Sequence, residues 1–281
     1  MTIEPIVFFG TPAAAVGCLD ALLAAGADVR LVVTQPDRRR GRGSATIPSP
    51  VKQAAVDHGL TVRTPDRARE VVGELQASGA TRGVVVAFGQ LLPDEVLTAF
   101  PNGLVNVHYS LLPRWRGAAP VERAILAGDT ETGVCVMDVA PALDTGAVYA
   151  RHVVPIGVDE TAGELHARLA AAGATLLVET LDHILDLTPE PQAGETVYAA
   201  KLTTDEFRLD LTRPAVELVR LVRAGNPRPG AWLDIDGGRL KVWRAHEESG
   251  RFVPDEVQPE GKRPMPTGAW RAGHRGADPF A

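Results

Sequence analysis

Ile6-Val7-Phe8-Phe9-Gly10-Thr11-Pro12 lies at the start of the chain: four apolar residues with no alternation, then a glycine and a proline. An unbroken apolar run this short reads as a strand covered on both faces, as in a parallel sheet. Pro12 suits the first turn of a helix, since its φ is already set and its missing N–H costs nothing there. The alanine-rich stretch to about Ala25 continues that helix. The pattern then repeats. Val29-Arg30-Leu31-Val32-Val33 is a strand, Pro50 to His58 a helix closed by Gly59, Thr61 to Thr64 a third strand, Ala68 to Ala77 a helix, and Gly83 to Ala87 a central strand. Strands alternating with helices imply right-handed crossovers, so the expected fold is α/β, a doubly wound, Rossmann-like parallel sheet.

Such sheets bind ligands at the carboxyl ends of their strands. Phe88-Gly89-Gln90, Asn106, His108 and Asp144 are expected there. The first turn argues against a nicotinamide or flavin. Thr11-Pro12 stands where a dinucleotide fingerprint has a second glycine for close approach of a pyrophosphate. No metal is expected, because His58, His152, His166, His183, His246 and His274 show no ligand spacing. Cys18 and Cys135 lie in apolar surroundings far apart in sequence and read as two reduced core thiols.

Chemistry concentrates in Asn106-Val-His-Tyr-Ser-Leu-Leu-Pro-Arg-Trp-Arg-Gly117, answered downstream by Leu143-Asp144-Thr145-Gly146. Asn106 and His108 stand two residues apart at a strand end, so both side chains point to one side. Pro113 and Gly117 then force the chain into a loop. Each residue alone has an ordinary explanation: a strand-end turn for Asn106, a core histidine for His108, a plain turn for Asp144. An amide, an imidazole and a carboxylate together can polarise a carbonyl, bind its oxyanion and move a proton. That set points to acyl transfer.

The spacing Asn-x-His-x-Ser-Leu-Leu-Pro-x-x-x-Gly with a later Asp-Thr-Gly resembles the folate-dependent formyltransferases. Three further stretches resemble the branch of that family whose acceptor is methionyl-tRNA. They are Thr34-Gln35-Pro36-Asp37 through Gly41-Arg42-Gly43 to Pro48-Ser49-Pro50-Val51-Lys52, then Arg114 to Pro120, and Gln258 to Met265. The resemblance implies 10-formyltetrahydrofolate as co-substrate and the initiator Met-tRNA as partner. It also implies catalytic roles for three residues. Asn106 would bind the formyl oxygen, His108 would donate to it or orient it, and Asp144 would hold the imidazole and help to deprotonate the amine. It implies folate contacts from Phe88, Gly89, Gln90, Leu91, Ser110, Leu111, Leu112, Pro113 and Asp144, and tRNA contacts from Arg38, Arg39, Arg40 and Arg42. Three departures from the family are visible: Ser44-Ala45-Thr46 where lysines are usual, Tyr109 where a small residue is usual, and a short carboxyl-terminal region. Tyr109 is expected to narrow the space beside His108.

Thr161 to Leu185 reads as one long amphipathic helix, with Thr161 and Glu164 spaced as a capping box. Leu187 to Gly194 is Pro-rich and polar, a linker by composition. The expected division is 1–186 for the catalytic domain, 187–200 for the linker and 201–281 for a small β-rich domain. The last is expected to hold a helix from 213 to 224 and strands at Ala231 to Ile235 and Arg239 to Trp243. By resemblance it is a barrel of the oligonucleotide-binding type, here about two strands short.

Composition agrees with an ordinary soluble globular protein: 281 residues, 45% hydrophobic and 23% charged. A net charge of −6 speaks against coating nucleic acid without specificity, and leaves Arg38 to Arg42 as a local basic patch. No membrane span or signal segment is apparent, so a cytoplasmic monomer is expected. Two alternatives use the same residues. One is a formyltransferase acting on a small amine such as an amino sugar nucleotide, and the other is an inactive paralogue that binds folate or RNA.

Overall fold

A computed structural model describes residues 3–39, 46–236 and 238–281. The elements are β1 (Ile6–Gly10), α1 (Ala13–Ala24), β2 (Val29–Val33), α2 (Pro50–Asp57), β3 (Val62–Arg63), α3 (Val72–Ala77), β4 (Arg82–Val86), α4 (Asp94–Leu97) and β5 (Leu104–His108). Then follow α5 (Pro120–Ala127), β6 (Glu131–Asp138), β7 (Val148–Pro155), α6 (Ala162–His183), α7 (Ala215–Gly225), β8 (Ala231–Ile235), β9 (Gly238–Glu248), β10 (Arg251–Pro259), β11 (Met265–Pro266) and α8 (Thr267–Gly273). Ser49 caps α2 by accepting from the Lys52 backbone N–H at 3.0 Å. The Thr161–Glu164 capping box forms in both directions: the Glu164 carboxylate accepts from Thr161 N at 2.8 Å, and Glu164 N donates to Thr161 Oγ1 at 3.3 Å.

The chain packs as two compact units. The first comprises residues 1–116, 133–154 and 167–197; the second comprises 117–132, 155–166 and 198–281. The first unit is built on a seven-stranded sheet in the order β7-β6-β5-β4-β1-β2-β3. Strands β1 to β5 are parallel, as the apolar runs predict, and all five residues of β1 are buried. The expected doubly wound parallel sheet is therefore present, and it is a mixed one: strand β6 runs antiparallel to β5. An apolar run such as Gly133 to Met137 shows that a strand is buried on both faces, and carries no information on its direction. Under the sheet, Phe9 meets Phe88 edge-on at 5.5 Å and Phe100 at 6.2 Å. Aromatic pairs of this geometry add about 0.5–1.5 kcal/mol each beyond the area they bury. Gly10 is dictated by packing: a Cβ there lies 2.7 Å from a Phe8 ring carbon and 3.2 Å from the Val86 carbonyl.

Residues 187–197, read from composition as part of a linker, pack within the first unit. Glu190 exchanges two backbone hydrogen bonds with Val148 on the sheet edge, at 2.8 and 2.9 Å. Proline weakens a segment as strand or helix, yet leaves its carbonyls and neighbouring N–H groups available for such a bridge.

In the second unit, α7 buries Leu218, Leu221 and Val222, α5 buries Val121, Ala124 and Ile125, and these helices pack on each other. The small sheet has the order β8-β9-β10-β11 and is antiparallel throughout. Among the described residues it is an open sheet and does not close into a barrel. Its long hairpin was not read from sequence: β9 and β10 pair from Leu240↔Pro259 to Glu248↔Arg251, turning at Ser249 and Gly250 with φ of 52° and 79°. Successive left-handed residues match the twist of a tight hairpin. Arg38–Arg39 pair antiparallel with Thr46–Ile47, while Arg40 and Arg42 lie outside the described residues.

Candidate active site

Asn106 and His108 alternate with Val105 and Val107 on β5, so they share a face. Asn106 sits between Val85 of β4 and Met137 of β6, and His108 opposite Cys135. The imidazole is buried, at 6% exposure. Its Nε2 lies 2.9 Å from the backbone carbonyl of Trp115. A carbonyl only accepts, so Nε2 carries a proton and donates. Nδ1 faces the carboxylate of Asp144, with Oδ2 at 3.7 Å. That separation is an ion-pair distance and longer than a hydrogen bond. In the neutral ring Nδ1 presents a lone pair; once it takes a proton, the imidazolium lies beside a carboxylate.

Asp144 reaches His108 by an indirect route. Because β6 is antiparallel, it ends beside Val105, and the turn 139–147 folds back from there. The turn is closed by Asp138 N donating to Ala147 O at 2.8 Å and by Thr145 Oγ1 donating to Ala142 O at 2.9 Å. Asp144 itself adopts the left-handed conformation, φ 52°. Aspartate tolerates it, at a cost of about 1 kcal/mol. Gly146 is obligatory: a Cβ there would lie 1.9 Å from the Asp138 carbonyl oxygen. Ala87 and Trp115 are also left-handed, φ 47° and 63°. Of the four described non-glycine residues with positive φ, Trp115 and Asp144 both meet His108, and Ala87 opens the 87–91 turn. Strain kept at such positions is a pointer to function.

The expected folate residues divide by what their side chains do. Phe88 is a core residue, and its carbonyl accepts from Thr11 Oγ1 at 2.8 Å and from Gln35 Nε2 at 2.9 Å. Gln90 is taken up by the neighbouring loop, accepting from Ala68 N and donating to Pro65 O. Gly89 is left-handed, φ 80°, and Leu91 is 84% exposed. Residues 87–91 thus offer backbone groups and one apolar side chain, and Leu143, 53% exposed, offers another. Ser110 is fully buried and donates to Arg114 O at 2.6 Å, which folds the loop after β5. Leu111 packs on Gly133, Leu112 joins Cys135, Met137 and Val148 in a small core, and Pro113 follows it through a cis bond.

Tyr109 does not narrow the space beside His108. Its hydroxyl donates to Ala14 O at 3.3 Å and its ring packs against Gly173. Next to it, burial pushes the Cys18 thiol up to about 12, so that cysteine is inert. Sequence reading missed two participants. The Trp115 carbonyl is a backbone group and leaves no residue signal. Gln192, whose amide donates to the carbonyls of the Asp144 turn, was hidden inside a segment read as linker.

Residues 5–181 match the model of a family described as formyl transferase, and residues 201–255 match that of its C-terminal domain. The chain belongs to the formyl transferase family. Asn106, His108, Asp144 and the 87–91 turn all lie within the first match. Among curated relatives, a methionyl-tRNA formyltransferase of Ruegeria pomeroyi is 48% identical over 255 residues, covering 90% of this chain and 85% of that protein. One from Dinoroseobacter shibae is 50% identical over the same length and shares. A crystal structure of HypX from Aquifex aeolicus in complex with tetrahydrofolic acid is 14% identical with a TM-score of 0.64, covering 96% of this chain and 47% of that one. At that identity the likeness is one of fold. Among the described residues no cluster of three or more His, Cys, Asp or Glu is placed to hold a metal, and no helix is long and apolar enough to cross a membrane.

Proposed function

We propose that this chain transfers the formyl group of 10-formyltetrahydrofolate to the amino group of methionyl-tRNA, the step that formylates initiator tRNA, working as a cytoplasmic monomer. The observation that carries the reading is the hold on His108: Nε2 is fixed on the Trp115 carbonyl, Nδ1 faces Asp144, and Asn106 stands on the same strand face. Relatives at 48% and 50% identity named for this activity support it. The 87–91 turn fits a folate, since backbone groups can pair with a pterin edge while exposed Leu91 and Leu143 supply apolar cover. Bound there, 10-formyltetrahydrofolate supplies an activated formyl carbon.

The residues have distinct tasks. Asn106 donates its amide N–H to the formyl oxygen as negative charge develops. His108 takes the proton shed by the attacking amine on Nδ1, and that proton passes to the folate N10 as the bond from N10 to the formyl carbon breaks and tetrahydrofolate leaves. Asp144 stabilises the imidazolium so formed, while the Trp115 carbonyl keeps the ring from turning. Formyl transfer falls to residues 1–186 and tRNA contact to residues 201–281, with Arg38, Arg39, Arg40 and Arg42 on the acceptor-stem phosphates. An amino sugar nucleotide would give those arginines no task.

A competition assay tests the acceptor. The protein is incubated with 10-formyltetrahydrofolate and equimolar Met-tRNA and an amino sugar nucleotide. Formylmethionine is the expected product; formylation of the sugar alone would assign the enzyme to small amines, and no product from either would favour an inactive paralogue.

A further inference from the structure

Gln192 lies between two anchors of the segment 187–197, the end of the first unit. Upstream, Glu190 is bridged to Val148 and its carboxylate meets Arg151 at 3.1 Å. Downstream, Val197 O accepts from Arg116 N at 2.9 Å. From this fixed backbone the Gln192 amide reaches two turns at once. Its Nε2 donates to Asp144 O at 2.9 Å and to Gly146 O at 2.8 Å. Its Oε1 accepts from Arg116 Nε at 3.0 Å and Nη2 at 2.7 Å. Two donors and two lone pairs are all a primary amide has, and every one is used. The polarity is unambiguous: a guanidinium only donates and carbonyls only accept, so the amide has one orientation.

The partners matter more than their number. Asp144 and Gly146 belong to the turn that aims the carboxylate at His108 Nδ1. Arg116 follows Trp115, whose carbonyl holds His108 Nε2. The turns that carry the two groups facing the imidazole nitrogens therefore meet at one side chain. We propose that Gln192 is a positioning residue for formyl transfer, locking the Asp144 turn and the Trp115–Arg116 turn in register so that the carboxylate stays on the Nδ1 side of the ring. The proposal rests on the formyl-transfer reading for its kinetic consequence, and on geometry alone for its effect on His108. Gln192 touches no reacting atom. Its side chain is also irreplaceable by near relatives: glutamate keeps the Arg116 pairing but sets an oxygen against two carbonyls, and asparagine is one methylene short.

The test uses the full-length protein with Gln192→Ala and the isosteric Gln192→Glu. Displacing a catalytic group by about 1 Å costs on the order of 10²-fold in rate. In both variants kcat is expected to fall roughly 10- to 100-fold, with KM for Met-tRNA and for the folate within about 2-fold, since the interaction lost is one that acts on the transition state. A purely structural side chain would lower the melting temperature and leave kcat in place. Separately, ring ¹⁵N NMR of the protein without substrates is expected to show the His108 Nδ1 signal moved in Gln192→Ala while Nε2 keeps its donor signature. Wild-type kcat together with unmoved His108 signals in Gln192→Ala overturns the proposal; if that variant melts below the assay temperature, the same two readings on Gln192→Glu decide. Failure of the wild type to formylate Met-tRNA sinks the acceptor reading alone, because the NMR comparison still judges the clamp.

Discussion

Gly146→Ala is the smallest change that should dismantle the site from outside it. The new Cβ would sit 1.9 Å from the Asp138 carbonyl oxygen and 2.6 Å from the carbonyl carbon, both backbone atoms that no rotamer change can clear. Opening the turn by about 1.1 Å brings the contact only to 3.0 Å, a limit that Cβ atoms essentially never cross. Asp144, two residues earlier in the same turn, must share that displacement, and its carboxylate already stands 3.7 Å from His108 Nδ1. A shift of about 1 Å in a positioned group costs on the order of 10²-fold in rate, or about 2.7 kcal/mol of transition-state stabilisation. Overpacking should cost about 1–3 kcal/mol of stability in addition. Single-turnover formylation at saturating Met-tRNA reads the first quantity and urea unfolding the second. A variant that unfolds about 1–3 kcal/mol more easily yet turns over within ~3-fold of wild type would refute the claim that this turn aims Asp144.

Three other expectations are simpler. Gly17→Ala, in the interior of α1 with nothing within 4 Å of the added methyl, should raise stability by about 0.5–1 kcal/mol by urea unfolding and leave turnover unchanged. The Glu164 carboxylate accepts from Thr161 N and Thr161 Oγ1 and meets Arg244 at 2.7 Å, contacts that hold its pKa down at about 2 from an ordinary 4.5. Its stabilisation is therefore full above about 4.5 and lost as pH falls toward about 2, so the stability gap between wild type and Glu164→Gln should close over that window in unfolding curves. Replacing Arg38, Arg39 and Arg40 by Ser should flatten the salt dependence of Met-tRNA affinity by about one unit of log–log slope per lost phosphate contact; an identical slope would leave these arginines as solvated surface.

Much of this molecule is legible in its sequence, and the illegible parts share a cause. Ile6 to Phe9, Val29 to Val33 and Gly83 to Val86 announce buried strands because a two-sided burial leaves no polar position within the run. Asn106, His108 and Asp144 were legible as a set because their residue types have few joint structural uses. The direction of β6 was not, since Val134, Cys135 and Val136 are equally buried in either orientation. The hairpin of β9 and β10 escaped because its outer half is exposed at Glu247, Glu248 and Arg251 and only half-buried at His246, Phe252 and Val253, and so carries little apolar pattern. Its one local signal is the Ser249-Gly250 turn. The clamp on the Asp144 turn escaped for the opposite reason: Pro189, Pro191 and Gly194 give Gln192 the company of a linker, while its hydrogen bonds go to carbonyls and an arginine far away in sequence.

The most direct measurement is the single-turnover rate of formylmethionyl-tRNA formation from 10-formyltetrahydrofolate and Met-tRNA, by wild type and by His108→Ala, Asp144→Ala and the double variant. Formylmethionine should appear with the wild type, each single variant should be slower by about 10²-fold or more, and the double variant should be little slower than either, because the pair acts as one unit. Absence of product from the wild type, or a folded His108→Ala protein that matches its rate, would contradict the assignment of formyl transfer to this site.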